Sequence, residues 1–193
     1  AQETSSTPEF VDWQGHDFSM RGMAGLEAAE LSAAGHLLSF TGTDTIPAID
    51  FFETYYNANA DEEFIGGTVA ATEHSVMCMG TNDGEQETFK RLITDVYPNG
   101  IVSIVSDTWD LWKVLTEYLP NLKEEVLARD GKVVIRPDSG DPVDIICGNP
   151  NGNTKEEQKG VIDLLWETFG GITNKKGYKE LDSHIGAIYG DSI

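Results

Sequence analysis

Residues 71–75 read Ala-Thr-Glu-His-Ser, and the Glu73-His74 step has the inventory for proton or phosphoryl transfer. Imidazole is nucleophilic and titrates near neutrality. His74 is therefore either a chemical group at the edge of a core or a polar residue where a helix begins. In RPDSGDP (136–142), Arg136, Asp138 and Ser139 precede a glycine that allows close backbone approach. Arg136 offers a fixed fork of donors for phosphate or carboxylate, and the Asp-Ser pair suits ribose hydroxyls or a metal-bound phosphate. A Pro-Asp-Ser-Gly β-turn explains the same spacing. In GTDT (42–45), Asp44 either caps a helix through Thr45 and Ile46, with Pro47 at an early helical position, or accepts a hydrogen bond from a ligand's amide or ring nitrogen. An ionised Asp in that second role favours a carboxamide over an acid, because like charges repel. In HDFSMRG (16–22), Phe18 could carry a stacked planar ring while Arg21 binds phosphate, or Phe18 could be core. His16, His36 and His184 stand at expected strand edges and need no ligand role, and no Cys/His spacing suggests zinc.

Repeated βα units are the elements that must position these residues. Short apolar runs rich in β-branched residues alternate with stretches of helical period, the pattern of a parallel α/β sheet. The expected strands are HLLSF (36–40), EFIGGT (63–68), IVSIV (101–105), KVVIR (132–136) and HIGAIY (184–189). Helices are expected near 22–33, 46–57, 84–96, 108–119 and 155–169. Asp107 or Thr108 should cap the fourth of them, Pro120 should end it, and Thr154-Lys155-Glu156-Glu157 reads as a capping box for the fifth. GNPNGN (148–153) is a loop by its Gly, Asn and Pro content. Polar residues follow nearly every expected strand: Thr43 and Asp44, Glu73 and His74, Ser106 and Asp107, Arg136 with Asp138 and Ser139, Gly190 and Asp191. In parallel α/β folds the ligand site lies at those C-terminal strand ends.

The composition narrows the partners. Thirteen Lys plus Arg stand against 33 Asp plus Glu, a formal charge of -20 over 193 residues, which opposes a nucleic-acid footprint or an anionic membrane surface. Any phosphate site must be local, built from a few Arg residues, backbone N–H groups and a metal ion. No apolar run is long enough to span a membrane and no signal peptide is legible. Cys78 and Cys147, each in an apolar run, are expected to be reduced, buried thiols in a cytoplasmic protein.

Taken in order, HDFSMRG, SFTGTDT, ATEHS, VSDTWD, IRPDSGDP and IYGDS resemble the nicotinamide phosphoribosyltransferases, a type II phosphoribosyltransferase family, from about residue 14 to residue 193. KGYKEL (176–181) also resembles the family pattern. The resemblance implies an irregular (β/α) barrel with a flanking domain and a homodimer. It implies transfer of phosphoribose from 5-phosphoribosyl-1-pyrophosphate to nicotinamide in NAD biosynthesis, with Mg2+ and with ATP hydrolysis coupled through a phosphohistidine. His74 matches that histidine. Phe18 matches the aromatic that stacks on the ring, Arg21 a phosphate or ring-site contact, and Asp44 the carboxamide-binding aspartate. Asp138 and Ser139 match residues near the ribose, the Mg2+-linked phosphates and the histidine. Asp191 matches an aspartate at the ribose and ring end, while Glu73 and Arg136 match motif positions. No residue is assigned as a direct metal ligand; Mg2+ is expected to enter through pyrophosphate near Asp138.

Family members are longer, so the sequence reads as the middle of an enzyme cut at both ends, inactive alone. Residues 1–15 read as the edge of a flanking domain and 16–193 as a partial barrel. Two other readings stand beside this one: a nicotinate phosphoribosyltransferase, which Asp44 argues against, and a noncatalytic protein that kept the barrel, which the presence of His74, Asp138 and Asp191 argues against.

Overall fold

A computed structural model describes residues 1–190. The chain divides into two compact units, Ala1–Thr68 and Val69–Ile193.

In the first unit a 3-10 turn (Pro8–Trp13) leads to β1 (His16–Asp17), a second 3-10 turn (Ser19–Gly22), α1 (Leu26–Leu37), β2 (Gly42–Thr43) and α2 (Pro47–Tyr55). α1 packs against α2, and the residues buried in the two helices are small: Ala29, Ala33, Ala34 and Ala48. HLLSF is therefore not a strand. The Ala-, Leu- and Glu-rich sequence before it favours helix strongly enough to carry through Leu37. The strand comes two residues after Phe40, at Gly42–Thr43, with His16 opposite Gly42 and Asp17 opposite Thr43 in parallel register. EFIGGT also forms no strand. Gly67 alone bridges Gly42, and the two glycines at 66 and 67 supply no side chains to a pleated face.

In the second unit β3 (Ala70–Ala71) is followed by α3 (His74–Cys78) and α4 (Glu85–Arg91), which ends in a π turn (Leu92–Val96). β4 (Asn99–Val105) leads to α5 (Leu111–Lys113), a π turn over Val114–Tyr118, α6 (Leu119–Asn121) and α7 (Lys123–Leu127). β5 (Asp130–Arg136), α8 (Pro142–Cys147), α9 (Lys155–Phe169), the hairpin strands β6 (Gly171–Thr173) and β7 (Lys179–Leu181), and β8 (Ile185–Ala187) complete it. The main sheet is parallel with strand order β3-β4-β5-β8, so its C-terminal ends share one edge. Its core holds Val102, Ile104, Val133, Ile135 and Ile185 from the strands, with Phe89, Leu115, Leu119 and Leu165 from the helices.

Local signals behave unevenly. The capping box is present: Glu157 N–H donates to Thr154 Oγ1 (3.1 Å), and Thr154 N–H donates to Glu157 Oε2 (3.2 Å). α9 kinks at Gly160 (φ 76), where a Cβ would lie 2.3 Å from the Gly148 nitrogen. Only glycine permits that close backbone approach and that dihedral. Asp110, not Asp107 or Thr108, caps α5, accepting from Lys113 N–H at 3.1 Å. Pro120 does not stop the helix either; it sits in the first turn of α6, after a widened turn where a missing N–H is tolerated. The buried guanidinium of Arg129 donates to the carbonyls of Ile93, Tyr97 and Gly100, tying the end of the α4 segment to the start of β4. Both cysteines are free but exposed, contrary to expectation: the apolar runs around them turn Met77 inward and leave Cys78 and Cys147 outside. No helix among the described residues is long and apolar enough to cross a membrane.

Candidate active site

In the first unit a recess of about 330 Å³ is lined by Phe18, Met20, Arg21 and Asp44. Buried Asp17 shapes it. Its carboxylate accepts from Ser19 N–H (3.0 Å), Thr43 Oγ1 (2.9 Å) and Thr45 Oγ1 (2.6 Å), locking the turn that carries Phe18 to the turn that carries Asp44. Burial alone would raise the Asp17 pKa, but hydrogen bonds from Ser19, Thr45 and Thr43 outweigh it and hold it below the ordinary carboxylate value. Asp44 N–H then donates to the Asp17 carbonyl at 2.9 Å.

Asp44 does not cap α2, as one reading of GTDT had it; α2 has Pro47 in its first turn and no side-chain cap. Its Oδ1 instead lies 2.8 Å from His16 Nε2 and accepts from Thr68 Oγ1 at 2.7 Å. Burial opposes its charge, yet the hydrogen bonds from His16 and Thr68 and the electrostatic pull of His16 and Arg21 hold its pKa low. The recess thus joins an aromatic face, a guanidinium and an ionised carboxylate.

In the second unit three parallel strand ends supply a second cluster. Thr72 stitches the first to the second: its N–H donates to the Ser103 carbonyl and its Oγ1 accepts from Val105 N–H (3.0 Å). Directly after it come Glu73 and His74, the start of α3. His74 starts that helix and also belongs to a polar cluster. Its Nε2 lies 3.2 Å from Asp107 Oδ1 and its Nδ1 lies 3.8 Å from Asp138 Oδ2. Asp107, 7% exposed in its side chain, accepts from Asp138 N–H (2.8 Å) and Ser139 Oγ (2.6 Å) through Oδ2. The buried Arg136 guanidinium lies 3.8 Å from Glu73 and 4.0 Å from Asp138. At the edge of the cluster, Gly190 N–H donates to the Pro137 carbonyl, and a Cβ on Gly190 would stand 2.2 Å from Asp138 Oδ1.

Of the residues singled out by sequence, Phe18, Arg21 and Asp44 come together in the first unit, and Glu73, His74, Arg136, Asp138 and Ser139 in the second. Asp191 lies outside the described residues. Asp107 and Gly190 belong to the set of residues expected at strand ends, but sequence gives neither an individual role, and Asp107 reads equally as a helix cap; His16 and Thr68 are not legible as site residues. His16 was set aside as a strand-edge residue, and nothing local points to Thr68.

The model of the nicotinate phosphoribosyltransferase (NAPRTase) family matches residues 13–193. The whole chain aligns with proteins named nicotinamide phosphoribosyltransferase: one from Acinetobacter baylyi at 54% identity, one from Mycoplasma pneumoniae at 42% and one from Mycoplasma genitalium at 40%. It spans 39% of the first relative's length and 40% of each of the other two. With a family match across nearly all its residues, this chain belongs to the nicotinate phosphoribosyltransferase family.

Proposed function

We propose that the complete protein carrying this chain is a nicotinamide phosphoribosyltransferase. It joins nicotinamide to 5-phosphoribosyl-1-pyrophosphate, giving nicotinamide mononucleotide and pyrophosphate for NAD biosynthesis. The family is named for the acid and the aligned relatives for the amide, so the ring substituent is the question. One observation carries the choice: Asp44, held ionised beside Phe18 and Arg21. A carboxylate accepts from the NH2 of a carboxamide and repels a second carboxylate.

In this reading Phe18 holds the pyridine plane and Asp44 fixes the rotation of the ring. The ring nitrogen lone pair then forms the new bond to ribose C1 as the C1–O bond to pyrophosphate breaks, the bonding electrons leaving with oxygen. Arg21 and Arg136 supply fixed positive charge for phosphate oxygens. Asp138 suits Mg2+, which commonly binds through one or two carboxylates together with substrate phosphates; when bound, the ion neutralises the departing pyrophosphate. His74 is the phosphoryl acceptor from ATP. The bond from the γ-phosphorus to its bridging oxygen breaks, a nitrogen–phosphorus bond forms, and ADP leaves. Asp107 at Nε2 orients the ring, so Nδ1 is the better-placed nucleophile. We further assign residues 16–193 to an irregular (β/α) barrel, residues 1–15 to the edge of a flanking domain, and the working protein to a cytoplasmic homodimer. The 193-residue piece alone is expected to be inactive.

Two measurements on the complete protein test this. Steady-state rates with nicotinamide should exceed those with nicotinic acid, and faster turnover of the acid would overturn the assignment. His74→Ala should remove the rate gain produced by ATP; an undiminished gain returns His74 to a structural role. A third variant tests Asp138. Gly190→Ala inserts a methyl against Asp138 Oδ1. It should lower kcat/KM about 10-fold by swinging that carboxylate away, at a stability cost of about 1 kcal/mol, since the clash meets a movable side chain. A rate within 2-fold of the parent would show that the carboxylate's position is not critical.

A further inference from the structure

We propose that His16 is the positioning residue that makes Asp44 selective for a carboxamide, by holding one carboxylate oxygen and leaving the other for the ligand. The proposal rests on the functional reading above. His16 Nε2 and Thr68 Oγ1 both meet Asp44 at the same atom, Oδ1, at 2.8 and 2.7 Å. No hydrogen bond reaches Oδ2 among the described residues. Since an ionised carboxylate has no proton to give, Nε2 is the donor, and two donors on one oxygen fix the rotation of the carboxylate.

The same imidazole also supports the ring platform: its centroid lies 4.5 Å from that of Phe18, tilted by 33°. It is itself held in place. Its side chain is 13% exposed, and a Cβ on Gly42 would fall 2.6 Å from Nδ1, so the imidazole lies flush against a glycine in the paired strand. Asp44, by contrast, is 37% exposed, and once His16 is lost its Oδ1 keeps the Thr68 Oγ1 hydrogen bond but no longer has two donors to fix its rotation, so it can turn toward water. A swung carboxylate neither accepts from the NH2 nor repels an acid.

The test uses steady-state kinetics of the complete protein with nicotinamide and nicotinic acid. His16→Leu should raise the KM for nicotinamide about 10-fold with kcat within about 3-fold, and should lower the amide-to-acid ratio of kcat/KM about 10-fold. His16→Gln keeps an N–H donor and should return KM to within about 3-fold of the parent. In an Asp44→Asn background, His16→Leu should add less than about 2-fold. An unchanged KM, a fall in kcat alone, or the full effect persisting without Asp44 overturns the proposal. If circular dichroism shows His16→Leu to be unfolded, Thr68→Val, which removes the other donor to Oδ1, is expected to raise KM about 3-fold, and no change there overturns it as well. The parent's own preference tests the functional reading separately: a parent that favours the acid removes that reading and this one with it, whereas a parent that favours the amide with insensitive variants removes only this one.

Discussion

Asp107→Ala is expected to lower the kcat/KM of the complete protein by at least about 100-fold, because it removes the carboxylate that orients the His74 imidazole. Asp107 is the hub of the second cluster. One oxygen meets His74, and the other accepts from the Asp138 amide and the Ser139 hydroxyl. Removing it frees the imidazole and releases the loop that carries both RPDS side chains. It also leaves the Asp138 N–H without its acceptor, a cost of about 1–3 kcal/mol. Asp107→Asn separates these effects. Its amide oxygen can still accept the two donors from the loop, so stability should stay within about 1 kcal/mol of the parent. The group toward His74 loses its charge, so the ATP-linked gain should fall as in His74→Ala. Kinetics with and without ATP, alongside urea denaturation, read both. An Asp107→Ala variant within 3-fold of the parent would make the cluster a structural tie.

Glu85→Gln is expected to stabilise the protein, and to do so increasingly as pH rises. Glu85 opens α4 but is only 1% exposed, and its Oε1 has no hydrogen-bond partner among the described residues. Burial pushes its pKa up to about 7, with Lys113 opposing and Asp110 reinforcing the shift. An acid whose folded pKa is raised binds more protons folded than unfolded between its two pKa values. No ionisation penalty therefore exists below about pH 4.5, and stability falls as pH rises through 4.5 to 7. The full penalty above that window is about 3 kcal/mol. Gln keeps the shape and removes the titration. Between pH 5.5 and 8.5, the advantage of Glu85→Gln in urea denaturation should grow by about 2 kcal/mol. The background effect of 33 acidic residues is nearly common to both proteins and cancels in the difference. A pH-independent difference would mean that Glu85 is already solvated or paired.

Glu85 also shows why charge is hard to place from sequence. In GEQET it sits where a helix N-terminus welcomes an acid, and nothing local says that it turns inward. The same limit applies to Asp107 and Asp110. Both precede α5 and both are cap residues by type, and only the position of the neighbouring strand end sends Asp107 to His74 and leaves Asp110 to cap. HLLSF failed for a related reason, since a short run whose apolar residues are Leu37, Leu38 and Phe40 fits a strand and the end of a helix equally well.

What the sequence determined by itself was whatever one chain segment decides alone. IVSIV and KVVIR lie within strands, and HIGAIY supplies the shorter strand Ile185–Ala187, because a parallel sheet buried on both faces needs continuous apolar, β-branched runs. Thr154 and Glu157 cap their helix because both partners lie within one turn. The ordered motifs gave the family. The tertiary structure decided which polar atoms meet: His16 and Thr68 on one oxygen of Asp44, and Asp107 between His74 and Ser139. Those pairs are 24 to 33 residues apart in sequence, and no local propensity encodes a contact that exists only once strands have paired in register.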